Sequence, residues 1–286
     1  MDLLPQNMLK VFALAACLLL AGSKVQADTP LLVYDFNLGN QAEANVDMLK
    51  ALGFRGVVTR VQKQANLKKL RTYARYAREV GDFRVMAYLV YDFSDPASAN
   101  VWRNALPILA SSGAPLWVIV RNAPSKLVIP PLLQQMAHES HNFGIRTVVY
   151  PHWGTSIETA TEASGLIAAA AHFNLKNSLH TCHEIRSGNQ YKLETVVQQH
   201  ASETALVAIA GADSNAYFGP QSPFVNWSDA IKPLDKGAFN LLPFLQALED
   251  SGYDGPVILQ TFGITNDPKH LQRSIRKYAE YTEHVQ

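Results

Sequence analysis

Two stretches decide the reading of this chain: Val148-Val149-Tyr150-Pro151-His152-Trp153-Gly154, and Leu179-His180-Thr181-Cys182-His183-Glu184-Ile185-Arg186-Ser187-Gly188-Asn189. In each, an apolar run of strand type stops abruptly in imidazole, aromatic and carboxylate side chains, as at the carboxyl ends of strands in β/α units. Outward from them, strand-like and helix-like segments alternate almost without interruption. Towards the N-terminus the expected strands are 31–35, 55–59, 84–91, 116–120 and 145–150, and the helices between and after them are 43–52, 66–80, 97–110, 131–142 and 156–173. Apolar residues at helical spacing, such as Leu67, Leu70, Tyr73, Ala74 and Ala77, mark the helices, and Gly53, Gly81 and Gly144 close three of them.

Towards the C-terminus a sixth strand ends at His183, followed by helix 194–200, strand 205–210, a long loop 211–240, helix 241–251, strand 256–261 and helix 268–284. Eight strands alternating with eight helices predict a single α/β domain, a (β/α)8 TIM barrel. A doubly wound open sheet is the alternative fold. No Gly-x-Gly-x-x-Gly turn follows the first strand and no glycine-rich phosphate loop with lysine occurs.

The first 27 residues read as a signal peptide, and 28–286 as the barrel domain. A short lead with Lys10 precedes the apolar run 11–21, and Val25-Gln26-Ala27 supplies a small-residue cleavage pattern. Leu14-Ala15-Ala16-Cys17 also resembles a lipoprotein acylation site, but the apolar run continues past the cysteine. An uncleaved anchor helix is the other competitor. The expectation is an exported protein, periplasmic or secreted, with no membrane span in the mature chain, since the apolar run is short for a bilayer. Cleavage would remove two of the 25 basic and one of the 24 acidic residues. The charges then balance, which gives no footprint for nucleic acid. Cys182 would be the remaining cysteine, so no disulfide could form within the chain.

The predicted strand ends carry Asp35 and Asn37, Arg60, Tyr91 and Asp92, Arg121 and Asn122, Tyr150 and His152, His180 with His183 and Glu184, Asp213, and Gln260. A cup of such groups suits a small carbohydrate, whose hydroxyls need paired donors and acceptors and whose faces stack on aromatic rings. His152, His183 and Glu184 are the candidate catalytic groups, as proton carriers; His152 and His183 are also the candidate ligands if a divalent metal ion is the cofactor. Asp35, Arg121, Tyr150, Trp153, Asp213 and Gln260 are the candidate substrate-binding residues. The plainer readings are that His183 is a hydrogen-bonded structural histidine and that Glu184 is a loop carboxylate paired with Arg186. Trp153 and Trp227 lie in post-strand loops, where stacking on a ligand and simple packing are both open. Cys182 alternates with His183 on the expected strand and should pack outward. The remaining histidines, His138, His141, His172, His200, His270 and His284, fall on helices and read as solvated or capping residues.

The C-terminal half resembles the xylose-isomerase-like TIM-barrel superfamily, the sugar phosphate isomerase/epimerase group. The resemblance is carried by Tyr150-Pro151-His152, by His183 with Gly188-Asn189, by Gly211-Ala212-Asp213, and by Ile231-Lys232-Pro233-Leu234 leading to Gly237. It continues through Leu245-Gln246-Ala247-Leu248, Gly252-Tyr253-Asp254-Gly255-Pro256-Val257 and Asp267-Pro268, whereas residues 31–145 match only in rhythm. In metal-dependent members, the resemblance implies an ion held by a Glu ending strand five, an Asp and a His on strands six and seven, and a Glu ending strand eight. Those positions correspond here to Tyr150, His180, Ala210 and Gln260. The expected function is therefore an isomerase or epimerase acting on a sugar or sugar derivative with a rearranged acid/base site. The alternative is a noncatalytic carbohydrate-binding barrel. A DNA-repair endonuclease, also found on related barrels, would need a metal cluster and a basic groove, and neither is visible.

Overall fold

Strands buried on both faces must be covered by helices on one side and by the barrel interior on the other, and the continuous apolar run 85–90 has that character. In the computed structural model, which describes residues 30–213, 226–265 and 267–285, the strands β1 (Leu31–Tyr34), β2 (Gly56–Val61), β3 (Arg84–Asp92), β4 (Leu116–Arg121), β5 (Thr147–Val149), β6 (Leu175–His180), β7 (Thr204–Ile209) and β8 (Val257–Leu259) form one sheet. Each pairs in parallel with the next, and β1 closes the barrel on β8 with Val33 opposite Leu259. The expected signal peptide, its cleavage point after Ala27 and the alternative at Cys17 lie outside the described residues.

The helices are α1 (Ala42–Leu52), α2 (Asn66–Val80), α3 (Ser98–Ser111), α4 (Ile129–Asn142), α5 (Ala160–Ala170), α6 (Thr181–Arg186), α7 (Leu193–His200), α8 (Trp227–Ala230), α9 (Leu242–Asp250) and α10 (Pro268–His284). Amphipathic α2 buries Leu67, Leu70, Tyr73, Ala74 and Ala77, the residues its spacing selected. Among the described residues no helix is long and apolar enough to cross a membrane.

Three expectations are corrected. The sixth strand stops at His180, the last residue to pair with β7 (opposite Ala208); the chain then turns into α6, with Thr181 Oγ1 accepting from the Ala210 N–H at 3.3 Å. His183 and Glu184 therefore stand on a short helix above the strand rather than on it. Cys182 points inward, its Sγ 3.3 Å from His180 Nδ1, rather than outward against helices. Of the histidines expected to be solvated or capping, His200 is buried between Thr161 Oγ1 and Glu203, and His270 is buried beside Ser274.

The barrel interior is filled by aromatic rings. Trp117 and Tyr150 stack with centroids 4.3 Å apart and planes 12° apart, and His180 stacks on the other neighbour, Tyr150, at 5.3 Å and 14°. Trp117 Nε1 donates to Ser178 Oγ (3.0 Å), which donates to the Val149 carbonyl (2.8 Å), and the Tyr34 hydroxyl donates to that of Tyr150 (3.1 Å). Their polar atoms are thus satisfied without water, as buried aromatic hydroxyls and indoles require.

The loop after β7 folds onto its own end. Gly211 and Lys232 exchange two backbone hydrogen bonds (3.1 and 2.7 Å), and Phe239 N–H donates to the Ala212 carbonyl (2.9 Å). A side chain at Gly237, whose φ is +87°, would sit 2.2 Å from that same carbonyl. Gly237→Ala is therefore expected to destabilise the fold by about 2–4 kcal/mol, from left-handed backbone strain plus overpacking. Gly165→Ala, in α5 with open space around it, should be neutral or stabilise by about 0.5–1 kcal/mol. Urea unfolding of the two variants checks both signs.

Candidate functional site

At the carboxyl ends of the strands the barrel opens into a cavity of about 310 Å³. Its polar lining is His152, His183, Arg60, Arg121, Tyr88, Tyr150, Thr155 and Gln260; its rings are completed by Phe36, Phe262, Trp153 and Trp227. Phe36 and Phe262 meet edge to face at 5.5 Å, and Trp153 and Trp227 do so at 6.0 Å. Arg186 from α6 lies between the two tryptophans, its guanidinium carbon 4.0 Å from the Trp153 ring centre and 4.6 Å from that of Trp227. These two cation–π contacts tie the loop after β5 to α8.

His152 follows β5, its N–H donating to the Ile157 carbonyl at 2.7 Å. Its Nδ1 lies 2.8 Å from the Trp153 carbonyl oxygen. A carbonyl only accepts, so Nδ1 carries the proton and Nε2 holds the lone pair in the neutral ring. Burial pushes the His152 pKa down to about 4; the hydrogen bond to the Trp153 carbonyl opposes it in part, and the charges of Arg121 and Arg60 add smaller downward pushes. His183, from α6, places its ring centre 3.9 Å from that of His152 and 4.3 Å from that of His180. Both its nitrogens are buried with no hydrogen-bond partner among the described residues. Burial, then the charges of His152, His180 and Arg186, hold its pKa well below the ordinary value.

His180 is differently employed. Gln260 Oε1 accepts from the backbone N–H groups of Thr261 (2.9 Å) and Phe262 (3.0 Å), which turns its NH2 group to His180 Nε2 at 3.3 Å. Nε2 thus accepts, leaving Nδ1–H to donate to Cys182 Sγ. Burial pushes the Cys182 thiol pKa up, so it stays protonated.

The structure brings His152, His183, Arg121, Tyr150, Trp153 and Gln260 to one cavity. It separates three other sequence candidates from the lining. Asp35 is buried on Thr59 Oγ1 (2.7 Å) and Lys69 Nζ (2.6 Å), and Asp213 pairs with Lys232 Nζ (3.0 Å). Glu184 accepts from the Ala160 N–H at the start of α5 (2.7 Å) and from Asn189 Nδ2 (2.6 Å), so its carboxylate joins two helices rather than pairing with Arg186. Arg60 stood among the strand-end residues of the sequence without an assigned role. The contributions of Phe36, Tyr88, Phe262 and Trp227 had only the weak signal of aromatic residues near strand ends.

Comparison with known proteins settles the family. The xylose isomerase-like TIM barrel family matches residues 46–281. The chain belongs to that family. No curated protein matches the sequence. Among solved members of the xylose isomerase-like fold, a D-psicose 3-epimerase from Clostridium cellulolyticum H10, solved with D-tagatose, superposes with a TM-score of 0.67 at 13% identity, over 90% of this chain and 99% of that one. A probable 3-DHS dehydratase from Bacillus anthracis gives 0.68 at 15%, over 87% and 98%. A xylose isomerase-like barrel fused to a 4-hydroxyphenylpyruvate dioxygenase gives 0.69 at 15%; the match covers 90% of this chain and 43% of the fusion. At these identities the likeness establishes the fold.

The metal-dependent donor set does not fit this chain. Tyr150 is stacked and bonded to Tyr34, His180 and Gln260 are engaged with each other, Ala210 has no donor, and no carboxylate lines the cavity. Donor atoms of His180, Cys182 and His183 come within 4.8 Å of one another, but those of His180 and Cys182 already serve the hydrogen-bonded chain from Gln260.

Histidines held neutral in the fold give a pH signature. The unfolded chain binds protons near pH 6.5 and the folded His152 only near 4, so stability is complete above about pH 6.5 and falls as pH drops from there to 4. Loss of about 3 kcal/mol from His152 alone is expected over that window, with His183 and His180 adding to it. Urea melts across pH should show the slope reduced in His152→Gln.

Proposed function

We propose that the protein is an isomerase- or epimerase-like enzyme that binds a small carbohydrate in this cavity and moves a proton on it, with His152 as base and His183 as its partner. The observation that carries the reading is the orientation of His152: Nδ1 is held on the Trp153 carbonyl, which leaves Nε2 as a basic lone pair on a cavity-lining residue. A base whose conjugate acid has a pKa of about 4 matches a glutamate in strength. A neutral imidazole can therefore do, without charge, what carboxylates do in proton transfer next to a carbonyl. His152 Nε2 takes the proton, the C–H electron pair enters the new C=C bond, and the carbonyl oxygen takes up the charge. Return of that proton to the former carbonyl carbon, with the proton of the adjacent hydroxyl passing to the former carbonyl oxygen, gives isomerisation; delivery of a proton from His183 to the opposite face of the first carbon, with the charge returning from oxygen to re-form the carbonyl, gives epimerisation. The paired rings of Trp153 with Trp227 and Phe36 with Phe262 supply stacking faces for a sugar. A D-psicose 3-epimerase among the structural neighbours is consistent with this chemistry.

A noncatalytic carbohydrate-binding barrel is the second reading, and the absence of carboxylates from the lining among the described residues favours it. Proton exchange separates the two. Ketoses and aldoses incubated with the protein in D2O should lose C–H signals next to the carbonyl by NMR, and His152→Gln should slow this by about 100-fold, the scale of a general-base contribution, while sugar binding persists. Binding without exchange in the parent protein would favour the noncatalytic reading.

We also propose export, from Lys10, the apolar run 11–21 and Val25-Gln26-Ala27. N-terminal sequencing of the processed protein should give Asp28; a start at acylated Cys17, or full-length protein in the cytosol, would contradict it.

A further inference from the structure

The charges around the cavity do not balance. Arg60, from β2, and Arg121, the last residue of β4, both line it, and among the described residues no carboxylate does. Arg121 is half-buried, and its guanidinium makes no hydrogen bond or ion pair among the described residues; the guanidinium of Arg60 is tied there only to the neutral Gln62 Oε1. The nearby acids have other work. Asp35 is taken by Lys69 and Thr59, Glu184 by Ala160 and Asn189, and Asp213 by Lys232. Asp92 accepts from Ser94 Oγ (2.6 Å) and Asn122 Nδ2 (2.8 Å), with Arg121 only a minor charge influence on it. By sequence, the segment 214–225 contains no Asp or Glu. Two guanidiniums over an aromatic cup are electrostatically incomplete until a ligand supplies negative charge.

We infer that the cavity takes a monosaccharide bearing a carboxylate, a uronate or an aldonate, with Arg60 and Arg121 as the groups that recognise the carboxylate; this rests on the carbohydrate reading above. Guanidinium forks match the planar carboxylate geometrically, and such charge-assisted bonds are stronger than neutral ones. A cavity of about 310 Å³ with ring-lined walls leaves the sugar ring to the aromatic residues and the anionic end to the arginines.

Isothermal titration of the protein with D-glucuronate, D-galacturonate, D-gluconate, D-glucose, D-galactose, glucose 6-phosphate and acetate tests this. At least one sugar acid should bind about 10- to 100-fold more tightly than the neutral hexoses, and added salt should narrow the gap. Arg60→Gln and Arg121→Gln should each weaken sugar-acid binding by far more than neutral-sugar binding, so that most of the preference is lost, and Arg121→Lys should keep part of it. Should Arg121→Gln fail to fold, Arg60→Gln at the exposed rim gives the same reading. Neutral hexoses binding as tightly as every sugar acid would overturn the inference and leave the carbohydrate reading standing. Preference for glucose 6-phosphate would overturn the carboxylate assignment. Binding of acetate as tight as that of glucuronate, or no binding of any sugar or sugar acid, would overturn both.

Discussion

The column Trp117, Tyr150, His180, stacked across β4, β5 and the end of β6, is the constraint on which the site depends. It fills the barrel beneath the cavity, and it satisfies its own polar atoms through Ser178, Tyr34, Gln260 and Cys182. With the floor closed in this way, the ends of strands five and eight, where the family resemblance implies carboxylates for a metal, hold the phenol of Tyr150 and the amide of Gln260. Neither needs a cation, and neither offers one a charge.

The chemistry above the floor follows from that dryness. His183 stands within ring contact of both His180 and His152, and three neighbouring imidazoles in a buried site cannot all be protonated, because desolvation and mutual repulsion act in the same direction. They stay neutral. A neutral pair suits proton transfer from a weak carbon acid. Among the described residues the two cavity-lining guanidiniums have no acidic partner in the lining, so the proposed recognition of an anionic ligand and the proposed use of an uncharged base rest on the same carboxylate-free lining.

The alternation of strands and helices was legible because burial on two faces and on one face leaves different periods in the sequence, and α2 and α10 fall on the residues their spacing indicated. The end of β6 was not. Thr181-Cys182-His183 continues a strand-like pattern locally, and a six-residue helix is too short to show a helical period; what ends the strand is a contact between Thr181 and Ala210 that the sequence does not display. The same limit affected the acids. Asp35 and Glu184 are at the expected end of the barrel, but their partners Lys69 and Ala160 come from other helices, and only the assembled fold shows those carboxylates already engaged. The closeness of His152 and His183 follows from the neighbouring strands β5 and β6 that precede them, although His183 stands on α6 and not on the strand where the sequence put it. Arg60 was visible by position, while its meaning depended on the lack of an acid opposite it.

The central claim is that His152 and His183 are uncharged imidazoles presented to a ligand above a closed aromatic floor. Long-range proton–nitrogen NMR of the histidine side chains tests it most directly, followed from pH 8 to 5 and then with added glucuronate. The account predicts His152 as the neutral form protonated at Nδ1 throughout, with its Nε2 signal and those of His183 moving when ligand is added. A His152 that gains its second proton near pH 6.5, or that carries its single proton on Nε2, or ring signals of both residues indifferent to every sugar that binds, would contradict it.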